Sequence, residues 1–404
     1  MEALRDRTPG AGTRPDAQSR ASTKTRATGG TRTSAATLPS DGRAHNLSLV
    51  RQTLHSAGAM SRAELSRTLG LTRVTVSDLV SDLLERGHVV ELGQSDVVRP
   101  GKPAILVDIN RQGLQVIGMD LAENSVLRAA VLDLDGNILE RVERNIDSET
   151  GQAVVDKVLE LASDAISKAT ATLLGIGVGT PGIVNADGMI TTAPNFDWKD
   201  VALRDLLEAH TGLPTLVSND ADAAVHADHT FGGGSDDMVL VKIGRGVGSG
   251  LIVGGRRARG AHSAAGEIGH VTVGTDGGTK CKCGKTGCLE TWMSVPSLER
   301  ALTQAKPYDA KPKEAADVVL REAGERLAIA LAPVVGALDL AEVVLSGPRQ
   351  LLEGTLLDAV QQTLLARLLH QDPAQVSVRL AENAEDIVLR GAAVMVLWNQ
   401  LGVA

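Results

Sequence analysis

Four side chains that favour soft metals stand close together in the C-terminal part of the chain: His270, Cys281, Cys283 and Cys288. Three thiolates and an imidazole within nineteen positions form the donor set of a closed tetrahedral zinc site. The lysines and glycines between the cysteines suit a knuckle that wraps an ion. The plainer alternative is three buried thiols and a surface histidine. A filled tetrahedron leaves no position for water, so Zn2+ is expected to be structural and to steady the loop carrying Glu267 and Glu290. If one nitrogen of His270 binds the metal, the other is free to face a ligand hydroxyl. Shortly upstream, Val241-Lys-Ile-Gly-Arg-Gly-Val-Gly-Ser-Gly250 places four glycines after an apolar run. Glycine lets backbone and ligand approach closely, although a tight hairpin has the same composition.

A second group of residues points to nucleic acid. Ser61 and Glu64 have the spacing of a capping box, Leu65 and Leu69 give the following helix an apolar side, and Gly70 ends it. Thr72 can cap a further helix in which Val76, Leu79, Val80, Leu83 and Leu84 follow helical spacing. The other face of that helix presents Arg73, Thr75, Ser77 and Asp78 near its N-terminus, where a recognition helix reaches base edges in a major groove. After Gly87 and a short strand at 88–92, Arg99-Pro-Gly-Lys-Pro103 supplies Arg99 and Lys102 on a stiff turn, suited to a wing on the DNA backbone. A three-helix packing module without nucleic acid is the plainer alternative.

These groups need elements to hold them. Residues 1–43 are rich in Thr, Ser, Ala, Gly, Pro and Arg without apolar periodicity, and are expected to be a disordered basic tail, either a solvated leader or a DNA-contacting arm. Residues 44–103 are expected to form a winged helix-turn-helix, beginning with a helix near 46–56. From 104 to 404 strands alternate with helices, with strands at 114–121, 126–134, 138–145, 174–178, 238–243 and 343–345. Helices are expected at 152–172, 203–209, 222–230, 318–338 and 352–369. This is an α/β pattern that suits two lobes around a cleft. The chain of 404 residues has room for both domains, and its 43% hydrophobic content can fill their cores. Aromatics are only 1%, which argues against a ligand site of stacked rings and leaves recognition to polar side chains. The net charge of −8 falls on the C-terminal part, whereas the tail is basic, the asymmetry expected when one end meets phosphates. No apolar run is long enough for a bilayer, the first forty residues lack the apolar centre of a secretory signal, and the cysteines are odd and clustered. A cytoplasmic protein without membrane contact is expected.

Residues 104–404 resemble the ROK family, which comprises sugar kinases and sugar-responsive repressors on the actin–hexokinase fold. The stretch Ile243–Gly269 is similar to the family signature, and Cys281-x-Cys-Gly-x-x-Gly-Cys-x-Glu290 to its zinc motif. The helix-turn-helix in front resembles the regulators of that family. The resemblance implies a sugar pocket in which Asn195, in Ala193-Pro-Asn195, and Asn219 and Asp220, in Ser218-Asn-Asp-Ala-Asp-Ala-Ala224, contact the ligand. It implies Asp220 as the position of the catalytic base, and Glu267, His270 and Glu290 as further sugar contacts. Carboxylates and amides suit this work, because each sugar hydroxyl is both donor and acceptor.

The same comparison implies that phosphoryl transfer is lost. Family kinases carry an Asp-x-Gly-Gly-Thr-Lys turn, and here the run is Asp120-Leu-Ala-Glu-Asn-Ser125, with Ala122, Glu123, Asn124 and Ser125 in the last four places. A carboxylate there repels ATP phosphates, and loss of the glycines blocks close backbone approach. Arg245 replaces a usual threonine, and Leu345-Ser-Gly-Pro-Arg349 matches the adenosine loop only in part. Asp220 would then be vestigial as a base, and no catalytic residue is expected. The reading is a DNA-binding regulator, taken as a repressor of carbohydrate genes, with operator DNA and a sugar or sugar-phosphate effector as partners. A homodimer or homotetramer would match operator symmetry. The rivals are an active sugar kinase with a fused DNA-binding domain and a regulator worked by a protein partner. Arg245 suits a phosphorylated sugar or a nearby carboxylate equally.

Overall fold

The computed structural model describes residues 39–94, 104–123, 125–273, 278–305, 312–369 and 375–402. The chain starts with α1 (Pro39–Ala57), β1 (Met60–Ser61), α2 (Arg62–Leu69), α3 (Arg73–Glu85), β2 (Val89–Gln94) and β3 (Ile105–Ile109). Helix α1 begins inside the stretch expected to be tail; the remainder of that tail lies outside the described residues. The Ser61 hydroxyl accepts from the Glu64 N–H at 3.2 Å and the Glu64 carboxylate accepts from the Ser61 N–H at 3.0 Å, so the capping box is closed. Gly70 ends α2 at φ 67°, a left-handed conformation in which a side chain would be strained. Thr72 accepts from the Thr75 N–H and starts α3, which buries Val76, Leu79, Val80 and Leu83. Strands β1, β3 and β2 form a small antiparallel sheet in that order. Strand β3 therefore belongs with the helices, beyond the expected boundary at 103/104.

The next segment contains β4 (Leu114–Asp120), β5 (Val126–Leu132), β6 (Ile138–Asn145), α4 (Gln152–Lys168), β7 (Thr172–Thr180), β8 (Ile183–Val184), β9 (Ile190–Ala193), β10 (Trp198–Val201), α5 (Leu203–Thr211), β11 (Thr215–Asn219) and α6 (Asp220–Phe231). Its main sheet has the order β11-β7-β4-β5-β6. Every residue of β4 is buried, as suits a central strand, while edge strand β6 carries Glu140, Arg141, Glu143 and Arg144 and has no buried residue.

A second lobe follows, with β12 (Met238–Ile243), β13 (Val247–Val253), β14 (Arg256–Arg257), α7 (Glu290–Met293), α8 (Val295–Gln304), α9 (Pro312–Leu338), β15 (Glu342–Ser346), α10 (Arg349–Leu352), α11 (Thr355–Arg367) and β16 (Ser377–Leu380); α12 (Ile387–Leu401) closes the fold. Its sheet runs β14-β13-β12-β15-β16. Both sheets have the same plan: a three-stranded antiparallel meander whose first strand pairs in parallel with a later strand, which in turn pairs in parallel with another. The β4–β5 and β12–β13 hairpins are thus equivalent.

Helices α6 and α12 cross closely: a Cβ on Gly391 would lie 1.7 Å from the Ala223 carbonyl oxygen, so only glycine permits the approach. One apolar cluster unites the helix-turn-helix with the first lobe and α12, through Val50, Leu54, Leu79 and Leu83 on one side and Leu114, Leu132, Ala393 and Leu397 on the other. Two arginines reinforce that junction. Buried Arg51 of α1 donates from Nε to the Leu401 carbonyl at 2.6 Å, and Arg111 donates to the His55 carbonyl at 3.0 Å while pairing with Asp135.

Candidate functional site: a polar cleft floor beside a thiol cluster

The polar groups gather where the end of β4 and the β12–β13 hairpin meet the first turn of α6. Asp120 closes β4, and its Oδ1 accepts from the Ala122 N–H at 2.8 Å. Burial pushes its carboxyl up to about 6, against the pull of the Lys242 ammonium. Asp220 opens α6, where the helix dipole favours a carboxylate, and its Oδ2 lies 3.0 Å from Lys242 Nζ. Lys242 comes from β12, so this ion pair joins the second sheet to α6. Burial disfavours the ammonium, yet the carboxylates of Asp220 and Asp120 prevail and hold it above the usual lysine range, with Glu123 adding to the effect. Glu123, in the turn after β4, therefore acts electrostatically on Lys242.

The remaining carboxylates come from the segment after β14 and the start of α7. Glu267 caps a short 3-10 turn at Ile268–His270, and burial raises its carboxyl, opposed by His270 and assisted by Asp220 and Glu290. Glu290 opens α7, and its Oε2 accepts from the Val247 N–H at 3.3 Å, tying α7 to the glycine-rich hairpin. A Cβ on Gly246 would sit 2.7 Å from that oxygen, so the glycine makes room for the carboxylate. Arg257 of β14 pairs with Asp222 at 2.6 Å and donates to the Ser218 hydroxyl at 2.8 Å, a second link from the second sheet to α6.

Asn219 has a largely structural role. Its Oδ1 accepts from the Ala221 and Asp222 N–H groups, capping α6, and its Nδ2 donates to the Gly182 carbonyl at 2.9 Å. One amide hydrogen remains for a ligand. Asn195 is half-buried on the turn between β9 and β10, and among the described residues no hydrogen bond joins it to the carboxylates.

The four soft donors converge. His270 Nδ1 lies 3.6 Å from Cys281 Sγ, Cys283 Sγ lies 3.6 Å from Cys288 Sγ, and the four donor atoms all fall within 4.8 Å of one another. Zinc–sulfur bonds of about 2.3 Å place the sulfurs of a tetrahedron about 3.8 Å apart, so the set fits the ion. Burial pushes the Cys288 thiol up to about 12, so a thiolate there calls for a cation beside it. Since Nδ1 faces the cysteines, Nε2 is the nitrogen of His270 that remains for the cleft. Glu290 connects the two centres, with its Oε1 3.7 Å from Cys281 Sγ.

At the other end of the molecule, Arg73 and Asp78 are exposed on the first turns of α3, while Thr75 and Ser77 are half-buried and the Thr75 hydroxyl lies 2.8 Å from that of Thr72. Arg99, Lys102 and Asn124 lie outside the described residues. Sequence reasoning passed over Lys242, the Arg257–Asp222 pair and Val74. A lysine inside the apolar run of β12 was the signal for the first. Val74 is 72% exposed on the polar face of α3, where an apolar side chain suits a thymine methyl.

The sequence profile of the ROK family matches residues 116–399, and that of the Crp family of bacterial regulatory proteins matches residues 59–88. A putative xylose repressor of Caldicellulosiruptor sp. (strain Rt8B.4) is 35% identical over 267 residues, 64% of each chain. A glucokinase of Halalkalibacterium halodurans is 37% identical over 195 residues, 46% of this chain and 59% of the enzyme. The alignments thus span less than two thirds of the length of these curated relatives. A crystal structure of a ROK family transcriptional regulator homologous to the E. coli MLC protein shares the fold, with a TM-score of 0.76 at 24% identity, covering 89% of this chain and 97% of that one. Among the described residues no helix is long and apolar enough to cross a membrane.

Proposed function

The chain belongs to the ROK family, and from that membership and the chemistry of the cleft we propose that it is a sugar-responsive, DNA-binding transcriptional repressor of carbohydrate genes that performs no phosphoryl transfer. The observation that carries this reading is the junction of two features in one body. A capped helix-turn-helix shares its core with a lobe whose cleft offers Asp220, Glu267, Glu290 and His270 to a polyhydroxylated ligand. The name of the xylose repressor relative supports the repressor half. Against kinase chemistry stand Glu123, within electrostatic reach of Lys242, and a Lys242 ammonium that engages Oδ2 of Asp220, the residue at the position of the base.

Residues 44–109 form the DNA-binding unit in this reading, with Arg73, Thr75, Ser77 and Asp78 of α3 at base edges and Arg99 and Lys102 on the backbone. Residues from 110 onward form the two-lobed sensor. Zn2+ held by His270, Cys281, Cys283 and Cys288 fixes the loop that presents Glu267 and Glu290 and has no part in a reaction. The ligand draws the second lobe toward α6. Because the helix-turn-helix is fused to the first lobe and α12, the change reaches the spacing of two winged helices in a homodimer or homotetramer on its operator. A protein that binds operator DNA works in the cytoplasm.

The test is a mobility-shift titration on DNA upstream of its own gene, with free and phosphorylated sugars. A specific shift altered by one sugar, and insensitive to it in Glu267→Ala, supports the reading. ATP-dependent phosphorylation of a hexose that is abolished in Asp220→Asn contradicts it.

A further inference from the structure

Lys242 stands at a meeting point that neither the fold nor a closed core requires. Its ammonium lies 3.0 Å from Asp220 Oδ2 and is within electrostatic reach of Asp120, at the end of the other lobe's first strand, and of Glu123 in the turn beyond. It thus lies between Asp220 and the altered phosphate turn. Asp120 has one oxygen engaged by the Ala122 N–H, and Asp220 has one engaged by Lys242. Glu267 and Glu290 add their carboxylates to the same field.

We propose that Lys242 is the specificity-determining residue of the ligand site: it balances the carboxylates around Asp220 and leaves Asp220 Oδ1 as an acceptor for one ligand hydroxyl, so that the site takes a neutral sugar and refuses its phosphate ester. This rests on the sugar-sensor reading above. The carboxylates of Asp220, Asp120 and Glu123 act on the Lys242 ammonium, Glu267 lies within electrostatic reach of Asp220, Glu290 and His270, and a phosphate monoester would bring a further charge of about −1.5 to −2 into that field. A neutral hydroxyl meets no such repulsion and finds an ionised acceptor held in place, the stronger kind of hydrogen bond.

The experiment is calorimetric titration of the full chain with D-xylose, D-glucose and D-glucose 6-phosphate, for the unaltered protein, Lys242→Met and Lys242→Met/Asp120→Asn. The expected result is a neutral sugar bound at least about thirtyfold more tightly than the ester, since like charges across a site cost several kcal/mol. Lys242→Met is expected to weaken the neutral sugar about tenfold, and the double variant, with charge balance restored, to recover most of that loss. Operator binding without sugar verifies that each variant is folded. A preference for the ester that vanishes in Lys242→Met would make Lys242 a phosphate receptor and overturn the proposal while leaving the sensor reading intact. Failure of the neutral sugars and the ester alike to bind, with operator binding retained, would remove the sensor reading and the proposal together.

Discussion

Replacing Arg51 by methionine keeps an unbranched apolar stem but removes the guanidinium that joins α1 to the last residue of α12. Arg51 is 8% exposed, and its Nε donates to the Leu401 carbonyl at 2.6 Å, so the variant leaves that carbonyl without its charged donor. A hydrogen bond from a charged group is worth roughly 1.5–3 kcal/mol, and a loss of about 2 kcal/mol is expected at this junction. Helix α12 in turn packs on α6, with Gly391 against Ala223, and α6 opens with Asp220 in the cleft. Coupling between two sites typically amounts to about 1–3 kcal/mol, so the loss at Leu401 is large enough to erase it. The assay is fluorescence anisotropy of labelled operator with and without sugar, together with calorimetry for the sugar itself. Operator affinity without sugar and sugar affinity are each expected to stay within about threefold of the unaltered protein, while the sugar-induced change in operator affinity collapses. A full sugar response in Arg51→Met would refute the assignment of the signal to the α12–α1 junction.

Further outcomes follow from other parts of the structure. Gly391→Val places side-chain atoms on the Ala223 carbonyl and is expected to cost more than about 3 kcal/mol, seen as a lower melting temperature or loss of soluble protein. Cys283→Ser is expected to abolish stoichiometric zinc in metal analysis and to weaken sugar binding with operator binding retained, because the loop of Glu267 and Glu290 loses its anchor. Asp120 ionises near 3.8 when unfolded and about 6 when folded, so between these values raising the pH favours the unfolded chain, by up to about 3 kcal/mol once both are passed. Asp120→Asn escapes this, and its stability relative to the unaltered protein is expected to rise as the pH goes from 4 to 7 in denaturant titrations. Val74→Ser is expected to relax operator preference at one A·T position in a binding-site selection, with phosphate contacts and salt dependence unchanged.

Local signals carried much of this fold. The capping box at Ser61 and Glu64 and the cap at Thr72 depend on neighbours in sequence, and both are present in the structure. Apolar runs gave β4 and β12 close to their true bounds. Helix α12 escaped notice because it is apolar on nearly every side, buried against the first sheet and α6, and so lacks the amphipathic period that marks a surface helix. The helix expected at 352–369 spans Thr355–Arg367, since Gly354 at φ 82° separates it from the short α10 that ends at Leu352. At the site, residue types and spacing located the Cys–His cluster, whereas Asp220, Glu267 and Glu290 came from the family resemblance alone. The role of Asn219 as a helix cap and the Lys242–Asp220 pair were not legible, because they depend on which strand ends the topology brings together.

The central claim is that a sugar in the cleft and an operator on α3 bind one shared body and alter each other. Linkage makes this measurable as a closed square: sugar affinity by calorimetry on the free protein and on its operator complex, and operator affinity with and without that sugar. The account predicts that both ratios are equal and exceed about fivefold. Equal sugar affinity for the free and operator-bound protein would contradict it.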